Sequence, residues 1–357
     1  MKHAHLFLPL ALLLSACGMQ PTALPATLEP APSPTSSSTP TVVPVTATPT
    51  AIPSSTDIPE PSGWCSPSGR LSGNFLVIGY LPEYRPLNPT WGNCLTDLIY
   101  FSIQPLPDGS LDTSALNAET LQMLRGMRTK YGTRIHISIG GWGRSDNFSP
   151  MAIKPKTRKK FVQNLATFCL ENGLDGADFD WEFPENEEEI QAYATLLAEV
   201  KAAFKPHHLI ISVALAPTDP IDLKPYTAAD RIHIMSYDRG SKHATLEQAE
   251  QDVALFLSTG VSPEKLILGM PFYGRAMTPP QEEYTYAEIV ERYHLSPMRD
   301  EVDNIYFNGI GTVKQKTCFA KTMGLGGVMV WELGQDSTDN TSLLRAIYQA
   351  AISECGE

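Results

Sequence analysis

The chain has 357 residues, 42% of them hydrophobic and 18% charged, and its 39 acidic against 27 basic side chains give a formal net charge of −12. That balance argues against a binder of phosphate backbones, which needs clustered positive charge, and fits an uncharged substrate. The cysteines and histidines fall at no zinc-ligand spacing, so neither a metal nor any other cofactor is expected.

In chain order the first segment is residues 1–17. Lys2 precedes an apolar run from Leu6 to Leu14, too short to span a bilayer as a helix, and the run closes in Leu14, Ser15, Ala16 and Cys17. This resembles a bacterial lipoprotein signal peptide. The resemblance implies cleavage before Cys17, lipidation of that cysteine, and export to the outer face of a bacterial membrane; an ordinary secretory leader is the alternative. Residues 18–62 are mostly Pro, Ser, Thr and Ala without a Lys or Arg, too poor in large apolar side chains to fold. They read as a tether that, in extended polyproline form, reaches on the order of 100 Å.

From residue 63 to 357 the pattern is that of one folded unit. Short apolar runs bounded by turn residues predict strands near 75–80, 97–103, 134–139, 175–182, 208–215, 231–237, 266–272 and 326–331. Helical periodicity lies between them, most clearly over 157–171 and 185–204. Alternation of strand and helix predicts an α/β fold, a (β/α)8 TIM barrel whose working residues sit at the C-terminal ends of the strands. Residues 274–325 hold predicted helices near 286–293 and 312–323, leaving little room for a large α+β insertion, so an open, shallow groove is expected.

The most informative stretch is Leu174 to Pro184, LDGADFDWEFP. On a strand, Asp178, Asp180 and Glu182 share one face roughly 6–7 Å apart, whereas Asp175 has the opposite parity and reads as a structural hydrogen-bonding group near the strand start. Three carboxyls in file cannot all ionise cheaply, so at least one is expected to keep a proton near neutral pH, which makes it a general acid. A calcium loop or a solvated acidic edge is the competing reading, but strand-forming Phe179, Trp181 and Phe183 alternate with the acids.

The pattern DxxDxDxE filled by Asp175, Asp178, Asp180 and Glu182 resembles that of glycoside hydrolase family 18, the chitinases. Gly79 and Tyr80, the SIGGW of Ser138 to Trp142, the MSYD of Met235 to Asp238, the GMPFYGR of Gly269 to Arg275 and the GGVMVW of Gly326 to Trp331 follow the family's order, over residues 75 to 348. The resemblance implies a retaining chitinase in which the substrate's own acetamido group is the nucleophile. Glu182 would be the acid and base, Asp180 the partner of the acetamido N–H, Asp178 the holder of the shared proton beside Tyr80 and Ser138, and Tyr237 the donor to the acetamido carbonyl. Asp238 would contact the sugar, Trp331 would floor the site with Phe101 and Met235, and Trp142, Tyr273 and Arg275 would meet flanking sugars. The competing reading of Trp142 and Trp331 is as ordinary core residues. The implied partners are chitin or chito-oligosaccharides, and a membrane through the N-terminal lipid only, for a chain acting as a monomer. An endo-β-N-acetylglucosaminidase, a peptidoglycan glucosaminidase and a lectin-like binder are the alternatives; intact Glu182 weighs against the last. Phe183 stands where the family more often has Tyr, and by parity only a packing effect is expected.

With Cys17 assigned to lipid, Cys65, Cys94, Cys169, Cys318 and Cys355 remain, an odd number. Cys169 and Cys318 lie on apolar helix sides and read as buried thiols, and Cys65 is expected to pair with either Cys94 or Cys355. His136 and His233 point by parity into the barrel, either as hydrogen-bonded core histidines or as groups tuning the carboxyl row. The basic run Lys154 to Lys160 reads as a solvated helix start, with contact to an anionic wall polymer as the other possibility.

Overall fold

The computed structural model of the protein describes Cys65 and residues 74–355 apart from 219, 220 and 297. The segments expected to be a leader and a tether, with Cys17, lie outside the described residues.

Eight parallel strands form the barrel: β1 (Leu76–Pro82), β2 (Asp97–Pro105), β3 (Arg134–Gly140), β4 (Gly176–Asp180), β5 (Ile210–Leu215), β6 (Arg231–Ile234), β7 (Leu266–Pro271) and β8 (Gly327–Trp331). Each pairs with the next, and β1 closes the cylinder by pairing with both β2 and β8. The strands are buried along nearly their whole length because helices cover one face and the lumen fills the other. Val77, Leu98, Ile137, Phe179 and Val213 point outward into the main core, whereas Ile78, Tyr80, Ile99, Phe101, Ile267 and Met329 fill the lumen.

The crossover helices are α1 (Ala118–Tyr131), α2 (Phe148–Ala152), α3 (Pro155–Asn172), α4 (Glu187–Phe204), α5 (Leu246–Ser258), α6 (Tyr286–Tyr293), α7 (Ile310–Thr322) and α8 (Leu343–Ile352). Their ends follow local chemistry. Asn186 accepts from the Glu189 N–H at 3.0 Å, with three glutamates in the first turn of α4, and Thr245 and Gln248 form a reciprocal cap on α5. The basic run is the start of α3, as expected, except that Arg158 turns inward to Glu199.

Three expectations change. After β1 and after β5 the crossover carries only a short 3-10 turn, so alternation of strand and helix is incomplete. Residues 273–306 hold a small antiparallel sheet of four short strands, Tyr273–Ala276, Glu283–Thr285, Glu301–Val302 and Ile305–Tyr306, together with α6. No large insertion is present among the described residues, but this small one contributes Arg275 and Glu283 to the lining of the cavity at the barrel mouth. Finally, Cys318 is not a lone buried thiol: it is bonded to Cys355, because α7 packs on α8 and brings the tail beyond α8 to its flank. Cys65 pairs with Cys94, and Cys169 is the buried free thiol.

Candidate active site

The site begins where β3 ends. Gly140 and Gly141 adopt φ of +92° and +102°, a region that costs other residues strain, and space forbids a side chain as well. A Cβ on Gly141 would sit 2.1 Å from the Phe101 ring, and one on Gly140 would sit 2.6 Å from the Asp180 carbonyl. The GG of SIGGW therefore lets the end of β3 press on Phe101 and on β4, where the Gly141 N–H donates to the Asp180 carbonyl at 2.7 Å. Ser145 continues the brace: its hydroxyl accepts from the Glu182 N–H at 3.0 Å.

Asp178 and Asp180 point into the lumen from β4, and Glu182 follows just past the strand end. Asp178 is fully buried and accepts from the Tyr80 hydroxyl at 2.9 Å and the Ser212 hydroxyl at 2.5 Å. Ser138 lies across from it in register on β3. Burial raises the Asp178 carboxyl, with the Ser212 and Tyr80 donors opposing. Asp180 is raised much further, by burial and then by the charges of Glu182 and Asp178, and its Oδ1 has no hydrogen-bond partner among the described residues. Burial, partly offset by the Trp142 backbone N–H and reinforced by the Asp238 charge, pushes Glu182 up to about 7. Of the two lumen aspartates Asp180 is the more easily protonated: Asp178 has two hydroxyl donors, whereas Asp180 has like charges on both sides.

Above the row opens a cavity of about 730 Å³ lined by Tyr80, Phe101, Trp142, Asp180, Glu182, Met235, Tyr237, Asp238, Arg275 and Trp331. Trp331 packs edge-on against Phe101, with centroids 4.7 Å apart, and against Tyr80. Trp142 is 78% exposed, which removes the reading of it as a core residue. Two predicted contacts are not in the lining. Ser138 is buried beneath it, and Tyr273 is 3% exposed, with its hydroxyl donating to Asp238 at 2.7 Å. Arg275 also donates to Asp238, at 3.0 Å. Burial would raise Asp238, but His243, Tyr273 and Arg275 outweigh it and hold the carboxyl below its ordinary value.

Phe183 is a correction. It is 47% exposed and borders the cavity instead of packing inside, because β4 ends at Asp180 and strand parity no longer applies two residues later. Asp175 behaves as read, accepting from the Ile135 N–H at 2.9 Å and pairing with Arg128. Sequence reasoning missed Ser212, Ser145, Tyr84, Arg144 and Glu283. Ser212 has lumen parity on β5, the one signal that marks it, whereas the others sit on loops or on the small sheet.

Fold and site together define a (β/α)8 barrel with a buried acid row at its C-terminal mouth. The sequence profile of Glycosyl hydrolases family 18 matches residues 77–336, and the chain belongs to that family. It is 26% identical over 284 residues to Chitinase 1 of Aphanocladium album, covering 62% of this chain and 66% of that protein, and it spans less than two thirds of the length of this and other chitinases of fungi and insects. Among solved structures it resembles the GH18 chitinase ChiB of Flavobacterium johnsoniae, with 28% identity, a TM-score of 0.67, and 78% and 94% of the two chains covered. A mutant class V chitinase of Nicotiana tobaccum, solved in complex with NAG4, shares the fold at 21% identity and a TM-score of 0.67, over 77% of this chain and 98% of that one.

Proposed function

We propose that the protein is a retaining chitinase that cleaves β-1,4-linked N-acetylglucosamine chains by substrate-assisted catalysis. The observation that carries this reading is the acid row of Asp178, Asp180 and Glu182 under a cavity floored by Trp331, with Tyr237 beside it. A carboxyl near pKa 7 is poised to give and take a proton at neutral pH. Glu182 protonates the glycosidic oxygen while the 2-acetamido oxygen attacks C1; the C1–O bond to the leaving sugar breaks and an oxazolinium ion forms. Asp180, carrying the row's proton, turns to the acetamido group and leaves Asp178 charged beside Tyr80 and Ser212. Tyr237 orients the acetamido carbonyl. Water, deprotonated by Glu182, then opens the ring at C1 with net retention. An indole face on a pyranose buries large apolar area, which suits Trp331 to the scissile sugar and exposed Trp142 to a neighbour.

Cleavage is proposed to be internal, since the insertion beside the cavity, which contributes Arg275 and Glu283 to its lining, is only a small sheet of four short strands with one helix. The leader and tether support export and lipid anchoring through Cys17, with the barrel acting as a monomer. Incubating the full chain with chitohexaose and, separately, with purified peptidoglycan tests the assignment. Shorter chito-oligomers are the expected products. Release of peptidoglycan fragments with an intact hexamer would replace chitin by wall glycan as the substrate.

A further inference from the structure

His233 is used by none of the steps above, yet it touches the row. It is fully buried on β6, with Nδ1 at 2.7 Å from the Tyr80 hydroxyl oxygen and 3.4 Å from Asp178 Oδ1, while Nε2 has no partner among the described residues. Tyr80 has a single hydroxyl proton, and beside an ionised Asp178 that proton goes to Oδ2, 2.9 Å away. The short approach of Nδ1 to the same oxygen is then attractive only if Nδ1 carries a hydrogen and donates it. A hydrogen on Nε2 instead would be a buried donor with no acceptor, a costly arrangement.

We propose that His233 is a positioning residue for the acid row: as the Nδ1–H tautomer it donates to the Tyr80 oxygen, aims the Tyr80 proton at Asp178, and so holds Asp178 as the ionised end of the row. The proposal rests on the reading that the row cleaves glycosides. Groups facing this triad are Asp97 from β2, His136 from β3, Asp178 and Asp180 from β4, Arg231 on β6 and Tyr237 just beyond it. Burial and the Arg231 and His136 charges outweigh Asp97 and press the imidazole down to about 3, so it works as a neutral donor throughout the range in which the row exchanges its proton. Hydrogen bonds in such a chain strengthen one another, and a donor behind Tyr80 makes its hydroxyl a better donor to Asp178. Ser212 completes the hold from the other oxygen.

The test has a kinetic and a spectroscopic arm, both on the full chain. In His233→Phe the Tyr80 hydroxyl loses its donor, Asp178 binds a proton more readily, and the acid limb of the kcat–pH profile on chito-oligosaccharides moves up by about one unit. At pH values below the natural protein's acid limb kcat falls about tenfold with KM within about twofold, since the interaction acts after binding. Tyr80→Phe gives the same shift, and adding His233→Phe to it gives no more, because His233 works only through Tyr80. His233→Asn, whose amide nitrogen can occupy the place of Nδ1, restores the limb. An unmoved limb in His233→Phe with a lowered melting temperature, or additive shifts in the double variant, would reduce His233 to a packing residue. Nitrogen NMR of labelled histidine reads the tautomer directly: hydrogen on Nδ1 supports the proposal and hydrogen on Nε2 overturns it. That reading stands even if no chito-oligosaccharide is cleaved, an outcome that would remove the functional assignment instead.

Discussion

A single carboxylate and a row of three carboxyls share the barrel lumen and have opposite electrostatics. Toward the N-terminal ends of the strands, Asp97 is fully buried but accepts two bonds from Arg134, one from Arg231 at 2.9 Å and one from His136 at 2.8 Å. Burial pushes its pKa up, yet the His136 contact and the two guanidiniums overwhelm that push and hold it well below the usual carboxylate range. At the C-terminal mouth Asp178, Asp180 and Glu182 are also largely buried, and no Arg or Lys among the described residues bonds to them; all three are raised. Burial alone therefore decides nothing. The supply of cations makes the one a permanent charge and the other a proton store.

The largest consequence is catalytic. Glu182→Gln keeps the shape of the side chain but can carry no exchangeable acid proton, so hydrolysis should fall by about 10²–10⁴-fold with folding intact, read by product release beside a melting curve. Asp97→Asn should do the reverse: leaving Arg134 and Arg231 without their counter-charge should cost about 3–5 kcal/mol, read by denaturant unfolding, with cleavage by the remaining folded protein largely kept.

The pH responses of the two differ in sign. Asp97, depressed when folded, adds stability above its unfolded pKa of about 4 and loses it as pH falls through the folded value. Glu182, raised when folded, withdraws stability as pH climbs from its unfolded value toward about 7. Melting temperature should therefore decline over that upper window in the natural protein and decline less in Glu182→Gln. The alkaline limb of kcat/KM should lie near pH 7, where the acid loses its proton. The smallest effect belongs to the rim. Trp142→Ala should raise KM for a hexamer by roughly fivefold, about 1 kcal/mol, with kcat nearly unchanged; an equal loss in kcat would move Trp142 to the scissile sugar.

Much of the barrel was legible because its strands are continuous apolar runs, and period-two parity put Asp178 and Asp180 on one lumen face before any coordinates. Parity failed where the strand stopped. Glu182 and Phe183 lie beyond Asp180, and Phe183 turned outward against expectation. The strands of the small sheet are two to four residues long, too short for any periodicity, so the insertion carrying Arg275 and Glu283 was invisible. The parity of His233 was readable, but its contact with Tyr80 spans 153 residues, and the Ser212 bond to Asp178 joins adjacent strands whose register the sequence leaves open. Cys318 shows the same limit: an apolar helix side predicts burial, whereas its pairing depends on where α8 ends.

Substrate-assisted cleavage is tested most directly by the anomeric form of the first products released from chitohexaose, followed by proton NMR before mutarotation. Attack by the acetamido oxygen and then by water predicts the β-anomer at each new reducing end. An initial excess of the α-anomer would mean single displacement by water and would contradict the account.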